Sequence, residues 1–240
     1  MLIFLDLQTT GLEIEDKICS VGIIVEDEKS HRVEYELINE GKKIPPLASS
    51  IHHITNEMIK DATTFKESIC YKILMEYNNI ETTLVLHSAK FDLEKLSSAG
   101  LKWRGGVVDT LRVTKHLIPE CELFSLQLLR YELKLYKDEP RERKFLDIKR
   151  EISAHDALSN AFVTRLLFKY LLQMNDIEVM LELSYKSILL QKFEFGKYKG
   201  QYIEEIAMND RRYLEWMLSS MTHLDEDLRY SIVYNLEGNL

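Results

Sequence analysis

The sequence predicts an α/β fold, in which a mixed β-sheet is flanked by helices and followed by a small C-terminal α+β module. Three observations support this. The first 40 residues show strand patterns, and the next part alternates short apolar runs with segments of helical periodicity. After residue 192 the composition changes to an aromatic run broken by glycines. We therefore predict a main domain at 1–173, a helical connector at 174–192 and a C-terminal module at 193–240.

The N-terminal part predicts three strands. Residues 2–5 form a continuous apolar run, as expected of a strand that is buried on both faces. Residues 17–25 and 32–38 follow, and the polar stretch between them predicts a hairpin. The Pro45-Pro46 pair then predicts a loop, after which we expect helices from about Asn56 and near 65–77.

The middle of the chain alternates short strands with helices. The apolar runs and periodic segments predict strands at 84–86 and 107–108 and helices at 92–99, 111–118, 123–135 and 156–172. Gly100 is placed to end the first of these helices, because glycine adopts the left-handed conformation that closes many helices. Asp109 is placed to cap the second helix, since its carboxylate can accept hydrogen bonds from backbone N–H groups.

Composition restricts the functional classes. Among 240 residues, Lys and Arg number 31 and Asp and Glu 39, so the net charge is −8. This excludes a uniformly basic coat for nucleic acid, but not a local basic patch or a metal-mediated contact with phosphates. Cys19, Cys70 and Cys121 are widely separated and predict unpaired thiols in a reducing compartment. With no apolar stretch of ~20 residues and no basic signal-peptide segment, we expect a cytoplasmic protein without a membrane partner.

The first candidate site lies at the end of the first strand. Asp6 and Gln8 are two residues apart, so their side chains point to the same face of that strand. Carboxylates held in this way bind Mg²⁺ or Mn²⁺, the ions that accompany phosphate-bearing substrates. A strand-end aspartate is also a common helix cap, so this segment alone leaves both interpretations open.

Two further segments carry candidate residues. His87 leaves a predicted strand, and Asp92 lies in the first turn of the next helix, where an acid either binds a ligand or stabilises the helix N-terminus. His155 and Asn160 are five residues apart, which separates them by about 140° on an ideal helix. Single histidines are more often structural than catalytic, so each segment is ambiguous by itself.

Taken together, the segments resemble a known enzyme family. In chain order, D-x-Q-T-T-G-L at 6–12, H-S-A-K-F-D at 87–92 and H-D-A-L-S-N-A at 155–161 resemble the motifs of the DEDDh group of 3′–5′ exonucleases. I-H-H-I-T at 51–55 also matches that group. The segments F-G-K-Y-K-G at 195–200 and R-Y-L-E-W-M-L at 212–218 look like the small C-terminal module of the exodeoxyribonuclease X family. The resemblance thus spans nearly the whole chain.

The resemblance implies an RNase H-like fold and a site with two Mg²⁺ or Mn²⁺ ions. It assigns the metal-ligand positions to Asp6, Gln8, Asp92 and Asn160. His155 becomes the general base, and the catalytic set is His155, Asp6 and Asp92. The residues implied to contact substrate are Thr9, Thr10, Leu12, His52, His87, Ser88 and Phe91. The implied substrate is a DNA 3′ end, single-stranded or duplex, from which nucleoside 5′-monophosphates are released during DNA repair.

Two of the four acids of that family pattern are replaced by amides. The family has Glu at the position of Gln8 and Asp at the position of Asn160, and an amide keeps the shape of the acid but cannot ionise. A single unit-charge pair at ~4 Å is worth about 4 kcal/mol at an effective dielectric of ~20, so we expect much weaker metal binding and little or no exonuclease activity. The shape-preserving changes are consistent with a variant made to bind without cutting and with natural retention of the cleft. Ser88 replaces an Asn of the family, and its hydroxyl can still form hydrogen bonds.

The sequence also fits other interpretations. The chain is alternatively a catalytically dead 3′-end-binding protein, which recruits a protein partner through its C-terminal module, or an exonuclease that acts on RNA. Lys197 and Tyr198 in that module form either a base-stacking platform or a hairpin tip. The charged stretch at 138–151 either contacts phosphates or is a solvated loop.

Overall fold

The computed structural model describes residues 1–121 and 123–238, and its largest unit is built on a five-stranded mixed sheet. The strands are β1 (Leu2–Thr9), β2 (Ile18–Glu26), β3 (His31–Leu37), β4 (Thr83–Leu86) and β5 (Gly106–Asp109). Their spatial order is β3-β2-β1-β4-β5. The first three strands are antiparallel, whereas β4 and β5 run parallel to β1. The predicted mixed sheet is confirmed.

Helices cover both faces of this sheet. They are α1 (Pro46–His52), α2 (Asn56–Ile59), α3 (Ile69–Glu76), α4 (Ala89–Ser98), α5 (Thr110–Leu117), α6 (Leu126–Glu132), α7 (Glu139–Phe145), α8 (Ala157–Leu171) and α9 (Ile177–Tyr185). Short 3₁₀ turns occupy Phe65–Glu67 and Leu135–Lys137. The α/β class with flanking helices is therefore confirmed as well.

Two hydrophobic clusters form the core, one on each face of the sheet. On one face Phe4 of β1 packs edge-on against Phe168 of α8, with ring centroids 5.5 Å apart. On the other face Ile3 of β1 belongs to a cluster with Leu74 of α3 and Leu96 of α4. Successive side chains of a strand point to opposite faces, so the even-numbered side of β1, which carries Asp6, faces α8.

A glycine sets the position of α8. Gly22 of β2 pairs with Asp6 of β1, and a Cβ atom at Gly22 would lie 2.3 Å from the backbone nitrogen of Leu158. No side chain fits in that gap, so the first turn of α8 rests directly on β2. This contact brings Asn160, in the same turn, beside the end of β1.

Several predicted boundaries need correction. The segment after Pro45 is not a loop, because helix α1 begins at Pro46, where a proline loses no hydrogen bond that the helix needs. The predicted helix at 65–77 begins as a 3₁₀ turn, and α3 starts only after Ser68, whose hydroxyl caps it. The predicted helix at 123–135 is shortened to Leu126–Glu132, since Lys134 adopts a left-handed backbone conformation with φ of 58°.

A second compact unit begins at Tyr185. It contains α10 (Ile203–Asn209), α11 (Arg211–Ser220) and α12 (Glu226–Glu237) around its own apolar core. Its β-structure, within the part of the unit that the structure describes, consists of two isolated bridges, Lys192 with Tyr202 and Phe193 with Lys199. The predicted connector at 174–192 is helical only over α9, and the last two residues of the predicted module, 239–240, lie outside the described residues.

The turn that contains Lys197 and Tyr198 is closely packed. Tyr198 donates a hydrogen bond to Asp210 at 2.5 Å, and Lys197 forms an ion pair with the same carboxylate at 3.0 Å. The Tyr198 ring meets the Tyr213 ring edge-on at 5.0 Å. Both Lys197 and Tyr198 are therefore engaged within the module, as in a packed hairpin tip.

The three cysteines are buried and unpaired, as the sequence predicts. Burial raises the pKa of Cys19 to about 12, and it also raises the pKa values of Cys70 and Cys121. In the part of the chain that the structure describes, the helices are all too short or too polar to cross a membrane.

Candidate active site

Polar side chains gather where β1 and β4 end. The pairing of β1 with β4 stops at Phe4 and Val85, so Asp6 lies two residues beyond the last β1–β4 pair, near the end of β4. Helix α4 begins three residues after that end and carries Asp92 in its first turn. Asp92 is buried, and its carboxyl group interacts electrostatically with that of Asp6. The fold thus brings the first two predicted acids together.

The two predicted amide positions also reach this cluster. The Gln8 Nε2 atom donates a hydrogen bond to Asp6 Oδ2 at 2.7 Å. The Asn160 Nδ2 atom lies 3.4 Å from each of the two Asp6 oxygens. Both amides therefore direct N–H groups at the same carboxylate.

A hydrogen-bond network orients Asn160. The Gln127 Nε2 atom donates to Asn160 Oδ1 at 3.3 Å, and Arg130 Nη1 donates to Gln127 Oε1 at 3.2 Å. Arg130 is held in turn by a two-point ion pair with Glu139, at 2.5 and 2.8 Å. Sequence reasoning missed Gln127 and Arg130; their only signal is the i, i+3 spacing that puts them on one side of α6.

Burial makes both acids of the cluster weak. It raises the pKa of Asp6 to about 7, although hydrogen bonds from Gln8 and Asn160 lower it and repulsion from Asp156 raises it slightly. Burial also raises the pKa of Asp92 well above its ordinary value, and repulsion from Asp6 adds to this. Near neutral pH the pair therefore holds protons more readily than exposed carboxyl groups do.

The donor set does not fit two divalent ions. Asp6 and Asp92 supply the cluster's carboxylates, and the amides at the other two positions present N–H groups to Asp6. Within 1–121 and 123–238, no three His, Cys, Asp or Glu side chains are grouped so as to hold a metal ion. Hard divalent ions prefer anionic oxygen ligands, so the residues present favour a hydrogen-bonded cluster over a metal pair.

The predicted general base lies at the start of α8. His155 is exposed and adopts a left-handed backbone conformation with φ of 57°. The next residue, Asp156, caps the helix by accepting a hydrogen bond from Ser159 N at 2.9 Å. Arg150 holds the same carboxylate at 2.6 Å. His155 is thus carried on a braced turn and is accessible to water.

The β1–β2 loop presents an apolar side chain. Thr9 donates a hydrogen bond to the carbonyl of Gly11 at 2.6 Å, and Thr10 donates to Asp16 Oδ1 at 2.9 Å. Both threonines are buried and hold the loop, whereas 82% of Leu12 is exposed. Of these three predicted substrate-contacting residues, Leu12 is the one that projects outward.

A buried lysine holds the same loop. Lys95 of α4 is 3% exposed, and its Nζ donates hydrogen bonds to the backbone carbonyls of Glu13 and, at 3.3 Å, Asp16. The Asp16 carboxylate also forms an ion pair with Lys42 at 2.7 Å. The sequence alone did not indicate this role for Lys95, because a lysine in an amphipathic helix ordinarily points to solvent.

Two predicted substrate-contacting histidines are engaged with the protein. His52 is buried, accepts a hydrogen bond from Ile54 N at 3.1 Å and lies 3.8 Å from Cys19 Sγ. The two ring nitrogens of His87 lie 3.0 Å from Thr110 Oγ1 and 2.9 Å from the Phe124 carbonyl. Burial lowers the pKa values of both histidines and so favours their neutral forms.

The start of α4 is organised by one carboxylate. Asp109 accepts hydrogen bonds from the backbone N–H groups of Ser88 at 3.0 Å and Ala89 at 2.9 Å, and it caps α5 as the sequence predicts. Ser88 is exposed and adopts a left-handed conformation with φ of 69°. Phe91 is partly exposed, with the Lys95 ammonium 5.3 Å from its ring centre.

The charged stretch at 138–151 contributes to the fold. It contains α7, whose Glu142 forms a 2.7 Å ion pair with the fully buried Arg165 of α8. Burial alone would raise the pKa of Glu142, but hydrogen bonds from Arg165 and Lys169 outweigh it and hold that pKa at about 2. Arg165 also forms two hydrogen bonds with Glu26, both at 2.6 Å.

Comparison with known families agrees with this architecture. Residues 3–168 match the exonuclease family, and residues 193–219 match the family of exodeoxyribonuclease X-like C-terminal modules. The first match covers more than half of the chain, so this protein belongs to the exonuclease family. Members of that family generally use divalent metal ions.

Individual proteins are also similar to this chain, one of them over its whole length. The chain is similar to Exodeoxyribonuclease 10 of Escherichia coli K12, with 26% identity over 99% of this chain and 100% of the relative. It is also similar to DNA polymerase III subunit epsilon of Treponema pallidum, with 35% identity over 39% of this chain and 43% of the relative. The full-length agreement with Exodeoxyribonuclease 10 includes the C-terminal module.

Solved structures share the fold. Exonuclease X in complex with 5′ overhanging duplex DNA matches with a TM-score of 0.58 and 21% identity, over 77% of this chain and 99% of that chain. A structure of exonuclease I matches with a TM-score of 0.55 and 17% identity, over 75% of this chain and 42% of that chain. These matches confirm the RNase H-like fold expected from the sequence.

Proposed function

We propose that this protein acts at DNA 3′ ends as a member of the DEDDh-type 3′–5′ exodeoxyribonucleases. Its reaction is the release of nucleoside 5′-monophosphates from single-stranded DNA and duplex 3′ ends during DNA repair. Gln8 and Asn160 strongly impair that reaction in the chain as it stands. The observation that carries the proposal is the convergence of Asp6, Gln8, Asp92 and Asn160 near the ends of β1 and β4.

The comparisons support DNA as the substrate class. One full-length relative is an exodeoxyribonuclease, and one structure with the same fold contains a duplex with an overhanging 5′ end. Leu12, 82% exposed on a loop next to the cluster, offers an apolar surface against which a terminal base can stack. Unpaired cysteines suit a reducing compartment, and we place the activity in the cytoplasm.

The residues of this chain have separate roles in that proposal. The exposed imidazole of His155 accepts a proton from the attacking water, the general-base role that histidine most often has in enzymes. Asp6 and Asp92 are the two metal-ligand positions that retain an acid. We expect two Mg²⁺ or Mn²⁺ ions only when Gln8→Glu and Asn160→Asp restore the other two acids.

The test compares degradation of a 5′-labelled single-stranded DNA by the unmodified chain and by the Gln8→Glu, Asn160→Asp double variant, with Mg²⁺ or Mn²⁺. A barrier difference of ~3 kcal/mol corresponds to about two decades in rate, so we expect the double variant to shorten the strand from its 3′ end at least ~100-fold faster. A matched control is Gln173→Glu, Asn175→Asp, which adds the same charge just beyond the C-terminal end of α8.

The amide contacts with Asp6 favour a second candidate, a catalytically dead 3′-end-binding protein. If neither form cuts but both bind DNA, that candidate replaces the enzyme. If neither form cuts or binds DNA, the proposed function is wrong. An RNA strand of the same sequence, run in parallel, identifies an exonuclease that prefers RNA.

A further inference from the structure

We propose that this chain binds DNA 3′ ends without a divalent metal, because the amide groups of Gln8 and Asn160 replace metal ions as the partners of Asp6. The inference rests on the proposed function, since it presumes that the cluster meets a DNA end. It concerns what that site requires in order to bind.

The Asp6 carboxylate is satisfied by the protein itself. Its Oδ2 atom accepts a hydrogen bond from Gln8 Nε2 at 2.7 Å, and Asn160 Nδ2 lies 3.4 Å from both oxygens. Acids at positions 8 and 160 would place two more negative groups in the same space, and a cation would be needed between them. Here the same positions supply hydrogen-bond donors, so no cation is needed to hold the cluster together.

The direction of the Asn160 amide is imposed from outside the cluster. Its Oδ1 atom accepts a hydrogen bond from Gln127 Nε2 at 3.3 Å, which leaves Nδ2 facing Asp6. Gln127 is oriented by Arg130, which is buried and held by Glu139. A chain of polar contacts from α7 through α6 to α8 thus keeps an N–H donor on the carboxylate.

This arrangement lowers the electrostatic obstacle to a phosphate group. The cluster carries two carboxyl groups where the family pattern has four, so an approaching phosphodiester meets less repulsion before any cation is bound. Each amide nitrogen also carries a second N–H that can donate to a phosphate oxygen. DNA binding by this chain is therefore expected to be independent of divalent ions, unlike binding by a form with four acids.

The test is a fluorescence-anisotropy titration of the full chain with a 5′-fluorescein single strand whose 3′-terminal linkages are phosphorothioates, which slow cleavage. The titration is done in EDTA and in Mg²⁺ at matched ionic strength, because DNA binding depends on salt. The Gln8→Glu, Asn160→Asp variant and the Gln173→Glu, Asn175→Asp control are treated in the same way. Binding of Mn²⁺ alone, followed by its electron paramagnetic resonance signal, provides a readout without DNA.

We expect the dissociation constants of the unmodified chain and the control to agree within twofold between EDTA and Mg²⁺. The acid-restored variant should bind at least tenfold more tightly in Mg²⁺ than in EDTA, and of the three forms it alone should bind Mn²⁺ at micromolar concentration. The comparison within the unmodified chain does not depend on any variant folding.

Three other results would each contradict a different part of this reasoning. If the unmodified chain needs Mg²⁺ to bind DNA, the inference is wrong while the proposed function stands. If it binds no DNA in either buffer, the proposed function fails and the inference fails with it. If the acid-restored variant folds and is equally indifferent to Mg²⁺, the two amides are not the cause of metal independence.

Discussion

Replacing Lys95 by methionine measures how much one buried amine stabilises the β1–β2 loop. Methionine follows the path of the lysine stem but lacks the Nζ that donates to the carbonyls of Glu13 and Asp16. The loop retains the ion pair between Lys42 and Asp16 and the hydrogen bond from Thr10 to Asp16, so the change removes one attachment and leaves others in place. We therefore expect local loosening of the loop in a protein that still folds.

The expected loss of stability follows from opposing terms. Hydrogen bonds that involve a charged group contribute about 1.5–3 kcal/mol each, so two of them stabilise by roughly 3–6 kcal/mol. Burying the ammonium opposes this by several kcal/mol, and the same burial lowers the pKa of Lys95. The net expectation is a decrease of about 1–3 kcal/mol in the free energy of unfolding.

Urea denaturation measures this change, and hydrogen exchange at residues 11–17 locates it. The matched control is Lys60→Met, which removes a lysine whose side chain is 71% exposed and which we expect to be nearly neutral. If Lys95→Met changes the free energy of unfolding by less than ~0.5 kcal/mol and leaves exchange in the loop unaltered, the argument that Lys95 holds the loop is refuted.

Three further predictions concern stability. Arg165→Met leaves the carboxylates of Glu26 and Glu142 without their buried partner, so urea denaturation should show a loss of about 3–5 kcal/mol; a loss under ~1 kcal/mol would contradict this. A carboxyl pKa raised from 3.8 to about 7 means that the native state holds the Asp6 proton more tightly than the unfolded state does. The stability that this group contributes is therefore present below pH ~4 and is lost as pH rises to ~7, by at most about 4 kcal/mol. Between pH 5 and pH 8, the free energy of unfolding of the unmodified chain should therefore fall relative to that of the Asp6→Asn variant. Urea denaturation of both forms at pH 5 and pH 8 measures this difference. A gain in stability of the unmodified chain relative to the variant at the higher pH would contradict the prediction. Ser88→Asn should raise the free energy of unfolding by about 0.5–1 kcal/mol, because asparagine adopts a left-handed conformation more readily than serine; a fall in melting temperature would count against this.

The sheet could be predicted because short apolar runs in the sequence mark its strands. Residues 2–5 and 84–86 are uninterrupted apolar runs, and both are central strands buried on two faces. Helix α1 was missed because a Pro-Pro pair usually marks a break, whereas here the second proline is the first helical residue. Local patterns do not separate those two uses of proline.

The candidate site was predictable only in part. The motif residues Asp6 and Asp92 come together, but the partner of Asn160 lies 33 residues away and that of Lys95 lies 82 residues away. Such contacts depend on how helices pack on the sheet, which spacing does not report. The angle of an ideal helix also does not predict how His155 is placed relative to Asn160, because His155 precedes the helix in a left-handed conformation.

The three sequestered thiols make the chain convenient for site-specific spectroscopy. Cys19, Cys70 and Cys121 are shielded from solvent, and their raised pKa values keep them protonated and poorly nucleophilic. A single cysteine introduced at exposed Glu13 would therefore react selectively with a maleimide dye while the native sequence is otherwise kept. A fluorophore placed there would report loop motion directly, without prior removal of any natural cysteine.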